Sequence, residues 1–199
     1  IYLSHDDGDH TGALFDVLER CPRATLVTNF FSVERLRLEK PTLPLSRMRW
    51  VEPGGSFDAG DRVLKLFRPP IFDGPTSRGL FDPSTGAMWA VDAFACFTPG
   101  PLDADELPQD LLAQCMPSLM SAISPWHAWL DRAGFARHVD GVEALGARTV
   151  ASAHGPVLQG ERLDDAFDRL RALAGAPLIP TPGQELLDAL LAPTLATAG

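Results

Sequence analysis

No run of the 199-residue chain approaches the roughly eighteen uninterrupted apolar residues that a membrane-spanning helix needs, which excludes a transmembrane segment of that kind. Basic residues are scarce: 17 Lys and Arg stand against 26 Asp and Glu, a net charge of −9, and no basic run occurs. Nucleic acids and anionic membranes require clustered cations and are excluded as main partners. Cys21, Cys96 and Cys115 are odd in number, widely spaced and never in a C-x-x-C pair. That pattern excludes a disulfide framework or a zinc knuckle and points to reduced thiols in a cytoplasm. Internal repeats and low-complexity blocks are also missing. What remains is ordinary, 45% apolar and 22% charged, the composition of one globular domain.

Short β-like and α-like segments alternate along the chain, the pattern of an α/β fold. The opening Ile1-Tyr2-Leu3 reads as the end of a strand, so an N-terminal portion, including the first strands, is expected to be missing. A helix is expected over Thr11 to Arg20, with Leu14, Phe15 and Leu18 at helical spacing and Cys21-Pro22 closing it. Then follow a strand at Ala24 to Thr28, a helix at Ser32 to Glu39, a strand at Met48 to Val51 and a turn at Pro53-Gly54-Gly55. An antiparallel set is expected at Arg62 to Phe67, Gly79 to Phe81 and Ala87 to Val91, with Asp82 to Gly86 as a hairpin loop. Residues 98–108 read as a surface loop. Leu111 to Leu145 reads as mostly helical with a break near Ser124-Pro125, Arg148 to Ser152 as a last strand, and Leu163 to Leu173 as a final amphipathic helix. The domain is expected over 1–175, with 176–199 a tail holding one short helix.

One stretch stands apart. "LSHDDGDHTGAL", residues 3–14, packs two histidines and three aspartates into six consecutive positions. Carboxylates this close repel one another, and each ionised form is costly unless a cation or several donors compensate it. An Asp-rich turn that merely caps a helix accounts for the aspartates alone. With His5 and His10 flanking them, a metal site is the better explanation.

The motif "SHDDGDHTG" resembles the H-x-[HDE]-x-D-H signature of the metallo-β-lactamase fold, and a carboxylate at its third position is similar to the flavodiiron proteins and the oxygen-binding diiron domains. Further pieces fall in register: "RPPIFDGPTSRG" at 68–79, "WAVDAFACF" at 89–97 and "SAHGPV" at 152–157. Asp73 and Asp92 are nineteen positions apart, the family's spacing. The resemblance implies an αβ/βα sandwich. It makes His5, Asp7 and Asp73 ligands of one metal, Asp9, His10 and His154 ligands of a second, and Asp92 the bridge. Asp7 stands where the family has Glu, and Asp73 where it usually has His, so the centre is richer in carboxylate than its relatives.

Four aspartates supply a formal charge of −4, which two divalent cations would neutralise. Oxygen and imidazole donors without thiolate suit iron, manganese or zinc, and the carboxylate-rich set favours iron or manganese. The resemblance implies binding or reduction of O₂ or NO at a non-haem diiron centre. The stretch after "HGP" is too short for the flavodoxin-like domain of flavodiiron enzymes, so turnover requires an external electron-transfer protein. A homodimer is implied by analogy. The competing readings are a hydrolase of esters, thioesters or phosphodiesters that uses a metal-bridging hydroxide, and a non-catalytic metal-bound scaffold. Among other residues, His127 reads as helix packing rather than part of a lid, and His138 as a surface residue. Cys96 reads as a small buried hydrophobe, and Trp89 as a core residue on the strand face opposite Asp92. Phe94 reads as a pocket wall, and Arg68 and Arg78 as solvated charges.

Overall fold

The structure, a computed structural model, describes residues 1–98 and 103–196. The chain starts with a short helix α1 (Gly8–Thr11) and α2 (Leu14–Arg20), then β1 (Leu26–Thr28), α3 (Phe30–Glu39) and β2 (Met48–Trp50). β1 and β2 pair in parallel, and Tyr2 joins them through a parallel bridge to Val27. All three β1 residues are buried, as a strand covered on both faces requires. Leu26 faces Leu3, Leu14, Leu18, Val33 and Leu36. Val27, pointing the other way, packs with Val51, Phe57 and Leu66 and so ties this pair to the second sheet.

That second sheet runs β3 (Ser56–Asp58), β4 (Val63–Phe67), β5 (Gly79–Asp82), β6 (Ala87–Trp89), β7 (Thr149–Ala151) and β8 (Leu158–Gln159), in that spatial order. Every neighbouring pair is antiparallel except β6 and β7, which are parallel. A parallel pair needs a long crossover, and this one carries α4 (Gln109–Ile123), a 3-10 turn (Pro125–Trp129) and α5 (Arg132–Glu143). α6 (Gly160–Leu173) follows β8. Its Phe167 and Leu170 join Met88, Val150, Phe135 and Val139 in the main core. No helix among the described residues is long and apolar enough to cross a membrane.

The expected elements hold with local corrections. The helix read over Thr11 to Arg20 is broken at Gly12-Ala13, so α1 stands alone at the acidic motif. β3 and β8 were not anticipated, because two or three residues are too few to show alternation. β7 is therefore not the last strand, while the helix expected in the tail is present as α7 (Gln184–Ala196), with Leu186, Leu187, Leu190 and Leu191 exposed. Of the surface loop expected over 98–108, residues 99–102 lie outside the described residues. The rest is partly interior: Asp103 bridges Val157, and Ala104 and Leu107 are buried.

Candidate metal centre

Local capping divides the acidic motif into two sets of side chains. The Asp7 carbonyl accepts from the amides of His10 and Thr11, which starts α1 and sets Asp9 and His10 in its first turn. Asp6 turns the other way. Its carboxylate accepts from Ser32 Oγ at 3.1 Å and pairs with Arg35 Nε at 2.8 Å, at the start of α3. Asn29 caps that helix through the Ser32 amide and donates to the Thr76 carbonyl. His5 is 1% exposed, fixed by the Ser4 carbonyl accepting from the Arg78 amide.

Asp73 lies in the arm between β4 and β5, its Oδ1 accepting from the Gly74 amide at 2.8 Å and from Ser77 Oγ at 2.9 Å. Asp92 lies just past β6, in a turn whose flanks Val91 and Phe94 take left-handed φ values of 61° and 65°. A β-branched residue at such a φ is an outlier that surrounding structure must hold in place. The Val91 carbonyl accepts from the Ala153 amide at 2.7 Å and from Ser152 Oγ at 3.1 Å, while the Cys96 amide donates to the His154 carbonyl. Gly155 permits this approach: a Cβ there would lie 3.1 Å from the Cys96 nitrogen.

These segments bring all seven sequence-predicted side chains to one place. Asp92 Oδ2 is 3.3 Å from His5 Nε2, while Oδ1 is 3.1 Å from His10 Nε2 and 3.4 Å from His154 Nε2. Asp9 Oδ2 is 3.0 Å from His154 Nε2 and 3.4 Å from His10 Nε2. Potential ligand atoms converge within 4.8 Å of one another in three overlapping groups: His5, His10 and Asp92; Asp9, His10 and His154; His5, Asp7 and Asp73. A cavity of about 420 Å³ opens beside them, walled by Ala95, Phe97, Leu119 and Ile123.

The electrostatics are those of a crowded anionic site. Burial, the hydrogen bond to Asp73 and that residue's charge raise the Asp7 pKa above the ordinary carboxylate value. For Asp73 burial acts upward too, but hydrogen bonds from Asp7, Ser77 and the Gly74 amide, with the His5 charge, leave its carboxyl below that value. The opposite directions follow from the closeness of the two carboxyls, each acting on the other. Burial works to lower the His10 pKa, yet the hydrogen bond to Asp92 and the charges of Asp92, Asp9 and Asp7 outweigh it and raise the value.

Solved structures reproduce this architecture. Rubredoxin oxygen:oxidoreductase of the anaerobe Desulfovibrio gigas superposes with a TM-score of 0.73 over 86% of this chain and 42% of that one, at 16% identity. The flavodiiron protein of Giardia intestinalis matches at 0.69 over 87% of this chain and 41% of that one, at 20% identity. The fold is that of a flavodiiron core, metallo-β-lactamase-like. The chemotaxis sensor ODP, solved as a peroxy diiron species, matches at 0.66 over 96% of this chain and 74% of that one, at 17% identity. In sequence, the coenzyme F₄₂₀H₂ oxidase of Methanothermobacter thermautotrophicus is 33% identical over 115 residues, 56% of this chain and 28% of its own. The type A flavoprotein fprA of Rhodobacter capsulatus is 27% identical over 187 residues, 93% of this chain and 41% of its own. The chain spans less than half the length of these curated relatives. No protein-family model matches it.

Around the candidate centre, several residues sit differently from their sequence reading. Arg78 is 3% exposed rather than solvated: it pairs with Glu52 at 2.7 Å and donates to the Pro75 and Ser77 carbonyls. Arg68 is half-buried, and its Nη1 donates to those same two carbonyls. Phe94 does not wall the metal cavity: its ring is buried in the core against Phe167. Ala95 and Phe97 line the cavity instead. Trp89 is half-buried, and strand alternation does not relate it to Asp92, since β6 ends at Trp89. His138 is half-buried, its Nε2 bonded to the Pro69 carbonyl. His127 is fully buried between the Leu173 carbonyl and Ser121 Oγ, a packing role, and Cys96 is a buried thiol. Ser77, Leu119 and Ile123 went unnoticed in the sequence. The apolar spacing of α4 carries the only hint of the last two.

Proposed function

We propose that His5, Asp7 and Asp73 hold one divalent metal ion, that Asp9, His10 and His154 hold a second, and that Asp92 bridges the pair. The observation that carries this reading is the Asp92 carboxylate, one oxygen toward His5 and the other toward His10 and His154. The donors fit the ions: three imidazoles and four carboxylates converge, and Asp7 and Asp73 crowd each other in a way that a cation would relieve. Hard oxygen and imidazole donors without thiolate favour iron, with manganese or zinc also compatible.

The reaction class we assign is binding or reduction of O₂ or NO. When bound, ferrous ions supply the electrons for that chemistry, and an external electron-transfer protein restores them. The chain's own contribution is positional. Ser77 and the Gly74 amide fix the Asp73 carboxylate, and the locked turn at Val91 and Phe94 fixes Asp92. Phe97, Leu119 and Ile123 give the cavity an apolar side, which suits a small diatomic gas and discourages water. The similar proteins include an oxygen oxidoreductase, an oxidase and a sensor solved as a diiron species. That range supports the class and leaves reduction and sensing as its two forms. A second copy of the chain as partner and a reducing cytoplasm, which suits three free thiols, complete the proposal.

The test is the metal content of protein purified anaerobically from iron-replete cells, with absorption spectra before and after air. Near two irons per chain and an air-dependent ferric band support the reading, to be followed by O₂ and NO consumption with a chemical reductant. Two zincs with no spectral change would replace it with metal-assisted hydrolysis, and a protein that takes up no metal would leave a scaffold.

A further inference from the structure

Away from the metal centre, a second cleft of about 330 Å³ lies between the 68–72 arm and the start of α5, within the usual size range of small-molecule sites. It shares no lining residue with the metal cavity. Its walls are aromatic. Phe72 and Trp126, both half-buried, meet with ring centroids 5.0 Å apart at 47°, and Leu130 and the buried Phe135 line the cleft beside them. At its lip the Arg68 guanidinium lies over the Phe72 ring, 5.0 Å from the centroid.

Arg68 is incompletely used. Only Nη1 is engaged, on the Pro75 and Ser77 carbonyls, and among the described residues Nε and Nη2 donate to nothing. No carboxylate of the described residues pairs with it. Burial and the nearby positive Arg78 lower its pKa from the ordinary arginine value, and the charge of Glu52, which is paired with Arg78, offsets them only in part. A guanidinium never loses its proton in a protein, so the charge stays in place and its planar fork matches a carboxylate.

We infer that this cleft binds a small organic anion with a flat apolar body, an aromatic carboxylate, whose acid group meets Arg68 and whose ring lies against Phe72 and Trp126. Aromatic walls of this kind favour planar ligands over aliphatic ones. The site is independent of the metal assignment, although Arg68 clamps the turn that carries Asp73.

The test uses the full chain, titrated with benzoate and 2-naphthoate by calorimetry and tryptophan fluorescence, with uncharged 2-naphthalenemethanol as control. Saturable binding in the low-millimolar range or tighter is expected, with naphthoate tighter than benzoate and the alcohol at least tenfold weaker than naphthoate. Arg68→Gln should weaken naphthoate at least tenfold. Trp126→Ala, which keeps the Arg68 bonds to the Pro75 and Ser77 carbonyls, should also weaken it while metal content stays at the wild-type level. Absence of saturable binding, an alcohol that binds as well as the acid, or unchanged affinity in Arg68→Gln would overturn the inference. If Arg68→Gln fails to fold, the alcohol control and Trp126→Ala decide it alone.

Discussion

The Cys96 amide donates to the His154 carbonyl at 2.8 Å, so the loop that carries Asp92 and the loop that carries His154 share one backbone frame. Gly155 makes room for that bond. Gly155→Ala would put a Cβ 3.1 Å from the Cys96 nitrogen and 3.3 Å from the Phe94 oxygen, both backbone atoms. Backbone yields poorly, so we expect a loss of about 1–3 kcal/mol in urea unfolding and reduced metal retention. Gly141→Ala is the control. It lies inside α5 with open space around it, and should gain about 0.5–1 kcal/mol.

Asp92 is the residue whose loss should cost most at the centre. Asp92→Ala removes the carboxylate that faces all three histidines. Mass spectrometry of the purified variant should find at least one metal fewer per chain. Wild-type content would dismiss the bridging role.

Proton competition should govern metal affinity. His10 and Asp7 both have raised pKa values in the protein without metal, and ligation needs both groups deprotonated. As pH falls through those values, affinity should drop by about tenfold per unit for each proton displaced. Above the raised His10 value it should level off. Chelator competition measured from about pH 5 upward, past the ordinary histidine range, follows this step. The stability of metal-free protein should move oppositely. The raised His10 value adds stability that is fully present below the unfolded-state value and lost as pH rises through the folded one.

His127 should behave as structure and not as chemistry. Both ring nitrogens are bonded in the core, to the Leu173 carbonyl and to Ser121 Oγ. His127→Ala strands those partners, at about 1–3 kcal/mol in denaturant unfolding, with metal content unchanged. A variant that keeps its stability and loses metal would reverse this assignment.

How much could be read in advance depended on distance along the chain. His5 to His10 announce themselves because charge so dense in one turn needs a cause. Asp73 does not: "IFDG" looks like any turn, and only the register with a known family singles it out. The apolar wall is less legible still, since Leu119 and Ile123 reach the cavity through the packing of α4, far from the motifs. Arg78 misleads for a related reason. An arginine reads as solvated unless its partners are visible, and Tyr2, Glu52 and the 75–77 carbonyls gather around it only in the fold. The turn at Asp92 shows the same limit, because nothing in "AVDAF" signals a left-handed valine.

The candidate ligand groups belong to segments that the ribosome delivers far apart in time. His5 to His10 emerge first and His154 last, with β1 to β7 made between them. At about 5–20 residues per second, the acidic turn waits on the order of ten to thirty seconds for its final partner. Through that interval it is a cluster of half-satisfied carboxylates and imidazoles, open to any divalent ion at hand. On the proposed reading, which metal the finished protein takes would depend on supply in the cell during synthesis as well as on the preferences of the completed site.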